Sequence, residues 1–246
     1  MLPSYYHAHH ALHMEDLPFW LELARQQGGP VLELGCGAGR LLLPMAQAGF
    51  LMYGLDRDAA MLAFLKSLLP PDLQPQPRLW LADMSAFCLA QHFPLIMLAC
   101  NTLSTLSPKQ RRACLEDVHR HLSMGGLFAV SIPNPAVLWE LPAQGETEEE
   151  DVFYHPATGN PVVVSSQWER RDQLFIIRWH YDHLLPDGRV QRTSVEARQQ
   201  LESIPAYLEE IRSAGLHPIN QQGDYDGSPY TPRSPYWIVT AAPSSL

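Results

Sequence analysis

The stretch Val31-Leu32-Glu33-Leu34-Gly35-Cys36-Gly37-Ala38-Gly39-Arg40 decides how this chain is read. An apolar run carrying one acid gives way to three glycines at alternate positions, and an apolar helical pattern over 41–48 follows at once. That order predicts a buried strand, a turn whose backbone comes close to something, and the start of a helix. Glycine has no Cβ, so the turn can take positive φ and let a ligand lie against the main chain. The amides of the first helical turn are then expected to face that ligand.

Spacing separates the cofactor classes that use such a turn. A dinucleotide site reads G-x-G-x-x-G, whereas here Arg40 stands at the third glycine's place and Gly39 comes one residue early. With Glu33 two residues before the first glycine, the pattern E-x-G-x-G-x-G resembles motif I of the class I S-adenosylmethionine (SAM) dependent methyltransferases. A tight turn with no ligand is the bland alternative. Residues 50–56 read as a second strand ending in Asp56, seventeen residues after Gly39. A carboxylate there can accept charge-strengthened hydrogen bonds from both hydroxyls of a ribose. NAD and SAM enzymes share that device, and Asp56 or Asp58 could instead cap the helix running through Met61.

The third station is Leu79-Trp80-Leu81-Ala82-Asp83-Met84, a short strand ending in an acid. The resemblance implies that Asp83 accepts from the adenine amino group and that the backbone N–H of Met84 binds a ring nitrogen. NAD folds have no equivalent there. A fourth strand over 95–99 runs into Cys100-Asn101-Thr102, where the family lines its methyl-transfer site. A fifth strand follows the turn Met124-Gly125-Gly126.

Length and composition set bounds. The 246 residues suit one sizeable α/β domain with a decoration, and no apolar run reaches transmembrane length. The N-terminus lacks the order of a signal peptide. Cys36, Cys88, Cys100 and Cys114 are far apart and form no metal spacing, which fits a reduced, cytoplasmic setting. A net charge of −9 repels phosphate backbones and argues against nucleic acid. The expected partner is a small methyl acceptor, with no membrane, and the chain is expected to be a monomer or homodimer.

The remaining sequence predicts helices before Val31, with Glu15-Asp16-Leu17-Pro18 opening one. Residues 134–147 read as irregular and Glu148-Glu149-Glu150-Asp151 as a solvated loop. Strands follow over 161–168, 173–185 and 189–199, the last two joined at Pro186-Asp187-Gly188. Ser203 caps a helix through 214, and strands over 216–225 and 236–241 close the chain. The fold class is therefore α/β: a Rossmann-like seven-stranded methyltransferase sheet with helices on both faces, plus a small inserted antiparallel β-sheet. The insertion resembles that of glycine-type and deoxyaminosugar N-methyltransferases. The expected division is a helical lid over 1–30, a SAM-binding core over 31–140 and 201–246, and an insertion over 141–200 roofing the active site.

Methyl transfer from SAM requires alignment and exclusion of water rather than a fixed catalytic motif. On the resemblance, Glu33 with Gly35, Cys36, Gly37 and Gly39 holds the methionine part. Arg40 either pairs with its carboxylate or stands exposed. Arg57 and Met61 flank the adenine, though Met61 could be plain core, and Cys100 and Asn101 lie near the amino group or the acceptor. Tyr6 and Tyr5 belong to a lid helix that closes over the cofactor, or are surface aromatics. On one inserted strand Arg178, His180 and Asp182 share a face. If that face looks into the cleft, His180 is a candidate base; otherwise it meets solvent. His9 and His13 stand four apart, but no third ligand in register accompanies them, so no metal is expected. An NAD-type oxidoreductase and a non-catalytic SAM-binding partner protein are the competing readings.

Overall fold

The computed structural model describes residues 3–244. Helices α1 (Pro3–His10) and α2 (Leu17–Gln27) lead into β1 (Val31–Leu34), the glycine turn and α3 (Leu42–Gln47). Then come β2 (Met52–Asp56), α4 (Ala59–Leu68), β3 (Arg78–Leu81), β4 (Phe93–Leu98), a 3₁₀ turn (Thr102–Thr105), α5 (Pro108–His121) and β5 (Leu122–Pro133). Helix α6 (Pro135–Glu140) precedes β6 (Glu148–Tyr154), β7 (Pro161–Arg171), β8 (Leu174–Leu184) and β9 (Val190–Gln200). Helix α7 (Ile204–Ser213), β10 (Leu216–Gln222) and β11 (Tyr236–Pro243) close the chain.

Seven strands make one sheet in the order β10-β11-β5-β4-β1-β2-β3. Strand β1 pairs parallel with both β2 and β4, whereas β11 runs antiparallel between β5 and β10. The order reverses beside β1, so the crevice at the ends of β1 and β4 is where an open α/β sheet takes its ligand. All four β1 residues are buried, as a strand covered on both faces requires. Leu32 and Leu34 face a core shared with α5 and α7. Val31 faces the other side, with Trp20, Met45 and Leu65 of α2, α3 and α4. Glu33 alternates onto that second side.

Local signals explain most boundaries. Pro44 sits in the first turn of α3, where a missing N–H costs nothing. Ser203 accepts the Ala206 amide and starts α7. Ser107 and Gln110 form a reciprocal capping box that starts α5, a helix absent from the sequence reading.

The strands β6-β7-β8-β9 form a separate antiparallel sheet. Residues Leu185 and Arg189 close the β8–β9 hairpin at the expected Pro186-Asp187-Gly188 turn. One expectation fails: Glu148–Asp151 is not a solvated loop but the start of β6, the edge strand of this sheet. Charges are tolerated there because one edge of such a strand stays open to water.

Candidate functional site

The glycine turn lies at the end of β1, and four of its amides are engaged within the fold. Gly35 and Cys36 both donate to the Leu55 carbonyl (2.9 and 3.0 Å), Gly39 donates to Cys36 O, and Gly37 donates to Asp56 Oδ2 at 2.8 Å. The Gly35, Cys36 and Gly37 bonds brace the turn against β2, and the Gly39 bond closes the turn on itself. The Cys36 side chain is 4% exposed and packs against Gly54. A Cβ at Gly39 would overlap Leu65, and one at Gly35 would come within 2.8 Å of Thr102 Cγ2. Only Gly37 has open space before it, 4.0 Å from the Asp56 carboxylate.

A cleft of about 430 Å³, counted to its mouth, opens over the turn. Its walls include Glu33, Gly37, Arg40, Cys100 and Thr102 below and Tyr6, His7 and His10 of α1 above. Glu33 is 5% exposed and its Oε2 has no partner. Burial, reinforced by the Asp16 and Asp56 charges and opposed by Arg40, pushes its pKa up to about 8.

Arg40 is neither exposed nor free to bind a ligand carboxylate. Its guanidinium clasps Asp16 through two 2.6 Å bonds, donates to His13 O at 2.8 Å and touches Cys100 Sγ. Asp58, not Asp56, caps α4, accepting from Ala60 and Met61. Asp56 spends one lone pair on each oxygen, accepting from Gly37 and Asp58, and keeps the rest. Asp83 is exposed and binds the Ser85 amide and hydroxyl through Oδ1, interactions that lower its pKa. Met84 lies in the core under Gly35, Met61 is buried on α4, and Arg57 is exposed.

Beyond β4, Cys100 and Asn101 both have positive φ, 57° and 63°. Two successive non-glycine residues there cost roughly 1 kcal/mol or more each and persist only where their surroundings dictate them. The bend presents Cys100 and Thr102 to the cleft, and Asn101 is not among its lining residues.

Helix α1 divides its side chains between two jobs. Tyr6 faces the cleft, its ring 4.1 Å from that of His10. Tyr5 faces the second sheet, its hydroxyl 3.1 Å from His183 Nδ1. The sequence reading missed His7 and His10 as cleft residues, although the helical spacing of Tyr6, His7 and His10 puts them on one face. His9 and His13 point elsewhere, toward Asp151.

His180 is corrected as a candidate base. Trp179, Tyr181 and His183 are the face of β8 that meets α1, at His10, His9 and Tyr5. His180 therefore projects from the opposite face, bonded to Ser194 at 2.6 Å between the Arg178–Glu196 and Arg192–Asp182 pairs.

The reversed seventh strand and the switch-point cleft at the end of β1 are the arrangement of the class I methyltransferase fold. Residues 31–126 match the family described as Methyltransferase domain. The cypemycin N-terminal methyltransferase of Streptomyces sp is 25% identical over 214 residues, 86% of this chain and 82% of that protein. A SAM-dependent methyltransferase structure from Clostridium acetobutylicum superposes at TM-score 0.80 and 15% identity, covering 95% of this chain and 92% of that one. A sugar N-methyltransferase from Streptoalloteichus sp gives TM-score 0.71 at 20% identity, over 92% and 86% of the two chains. The chain is a SAM-dependent methyltransferase. Among the described residues no helix is long and apolar enough to cross a membrane.

Proposed function

We propose that this enzyme moves the methyl group of SAM to nitrogen or oxygen of a small molecule by in-line displacement. The observation that carries the cofactor side is the buried, unpartnered Glu33 carboxyl in the cleft over a turn with four amides already engaged. A diphosphate needs free amides and meets repulsion from Asp56, whereas an ammonium with ribose hydroxyls is suited to both acids, since it favours the ionised form of Glu33. Glu33 Oε2, buried and unpartnered, would accept from the ammonium of the methionine part. Asp56 would take the ribose hydroxyls and Asp83 the adenine amino group, with Arg57 and Met61 beside the ring. Arg40 serves by holding Asp16, and the Cys100–Asn101 bend shapes the transfer end.

When bound, SAM supplies a methyl carbon activated by a sulfonium. The chain's own task is to align the acceptor and exclude water, and α1 with Tyr6 and His10 roofs the cleft for that purpose. An amine acceptor must arrive neutral, so a dedicated base is not essential for it. Amines are the acceptors to try first, because the cypemycin enzyme and the sugar N-methyltransferase both carry nitrogen in their names.

The proposed organisation is a lid over 1–30, a core over 31–140 and 201–246, and a roof over 141–200. A reduced cytoplasmic setting agrees with four unpaired cysteines, and the net charge of −9 favours a small acceptor over nucleic acid. Calorimetric titration with SAM, S-adenosylhomocysteine and NAD, followed by labelled-methyl transfer to peptide amino termini, aminosugars, phenols and tRNA, tests the reading. Adenosyl binding with transfer to a small amine or hydroxyl is expected. Binding of NAD instead, or transfer to tRNA alone, would overturn it.

A further inference from the structure

We propose that His9, His13 and Asp151 form a three-residue divalent transition-metal site of the zinc type, completed by water, that ties α1 to the second sheet. The ligand atoms of His9, His13 and Asp151 all lie within 4.8 Å of one another. His9 Nε2 is 3.4 Å from Asp151 Oδ2 and 3.6 Å from Glu150 Oε2, and His13 Nε2 is 2.8 Å from Asp151 Oδ2.

The His9–Asp151 separation suits a shared cation better than a direct hydrogen bond, whereas His13 bonds Asp151 directly in the metal-free form. A good N–H···O bond spans about 2.7–3.2 Å, so neither carboxylate reaches His9. Donors on a tetrahedral ion with bonds of about 2.0–2.1 Å stand about 3.3 Å apart. The His9–Asp151 separation is close to that value, and His13 would withdraw from Asp151 by about half an ångström on the same geometry. His13 lies beyond the last residue of α1 and its side chain is half exposed.

The backbone is built to converge these groups. Adjacent strand residues normally point to opposite faces. The β6–β7 pairing slips between Glu149 and Asp151, leaving Glu150 as an extra residue in a bulge. Such a bulge re-aims side chains, and here it brings both carboxylates to the His9 side. This is why the sequence showed no third ligand in register: the bulge is invisible without the pairing.

The outer contacts fit the same purpose. Metal-bound imidazoles commonly fix their second nitrogen on a neighbour, which aims the first. His9 Nδ1 is 3.1 Å from the Tyr181 hydroxyl. Glu150 is held by Ser166 through Oε1 and by the Trp179 indole through Oε2 at 3.2 Å. Two imidazoles with one carboxylate favour zinc-like ions; calcium and magnesium prefer all-oxygen sites.

The test uses the untagged full chain, stripped with EDTA and titrated with Zn²⁺ alone and with Mg²⁺ alone. One Zn²⁺ per chain is expected, weakened at least tenfold in both His13→Ala and Asp151→Asn, with far weaker Mg²⁺ binding. Circular dichroism of the metal-free variants checks that they fold. Zn²⁺ is also expected to slow proteolytic cleavage between α1 and α2 several-fold in the parent chain and not in Asp151→Asn. Absent or substoichiometric Zn²⁺, unchanged affinity in both variants, or Mg²⁺ binding as tight as Zn²⁺ would each overturn the site.

Discussion

Arg40 and Asp16 meet fork to fork, two 2.6 Å hydrogen bonds joining the residue after the glycine turn to the residue before α2. Asp16 also accepts from the Trp20 indole at 3.0 Å. Both side chains are largely withdrawn from water, at 15% and 6% exposure. Removing one partner of such a pair strands the other charge, at a cost of about 3 kcal/mol. Asp16→Asn should therefore lower the urea midpoint sharply, with Arg40→Lys showing a milder loss because a point charge cannot match the fork. An unchanged midpoint in Asp16→Asn would mean that the pair contributes nothing net.

Asp56 has one lone pair per oxygen committed and the others open. Charge-assisted bonds to two ribose hydroxyls are worth roughly 1.5–3 kcal/mol each. Asp56→Ala should weaken SAM binding a hundredfold or more by calorimetry, without loss of the far-ultraviolet signal. Parent-like affinity would show that the ribose lies elsewhere.

Glu33 carries a pH signature. Its carboxyl ionises near 8 in the folded chain, against 4.5 for the ordinary group. As pH rises from about 4.5, the unfolded chain sheds this proton first, so folded stability falls through this group until about pH 8. Glu33→Gln should remove that slope in denaturant titrations. An ammonium beside Glu33 favours its ionised form, so parent affinity for SAM should rise about tenfold from pH 6 to 7.5 while the variant stays flat. A flat parent profile would place the ammonium away from Glu33.

His180→Ala gives the contrasting case. The ring faces away from α1 and bonds only Ser194 among the described residues, so substitution should leave SAM affinity and methyl-transfer rate within twofold. A large fall in rate would require that the outer face of the second sheet take part.

The parts of the fold that follow from local chemistry were legible in the sequence. Gly35, Gly37 and Gly39 marked the turn, Pro186-Asp187-Gly188 the hairpin and Ser203 the last helix. Facing could not be read the same way. Alternation put His180 and Arg178 on one side of β8, but which side meets α1 depends on how the second sheet docks. Glu148–Asp151 misled because composition reports solvation and not strand pairing. The Arg111–Glu210 ion pair, joining residues ninety-nine apart, exists only once α5 and α7 pack together.

Helix α1 roofs the cleft over the glycine turn, yet much of its anchorage is on the other sheet: Tyr5 on His183 and His9 on Tyr181. On the proposed function, cofactor exchange and acceptor seating would share one latch. An acceptor settling under β7 and β8 would tighten the cover over SAM, and spent cofactor would leave only after the methylated product had gone. Steady-state kinetics should accordingly show compulsory order, with SAM first on and S-adenosylhomocysteine last off.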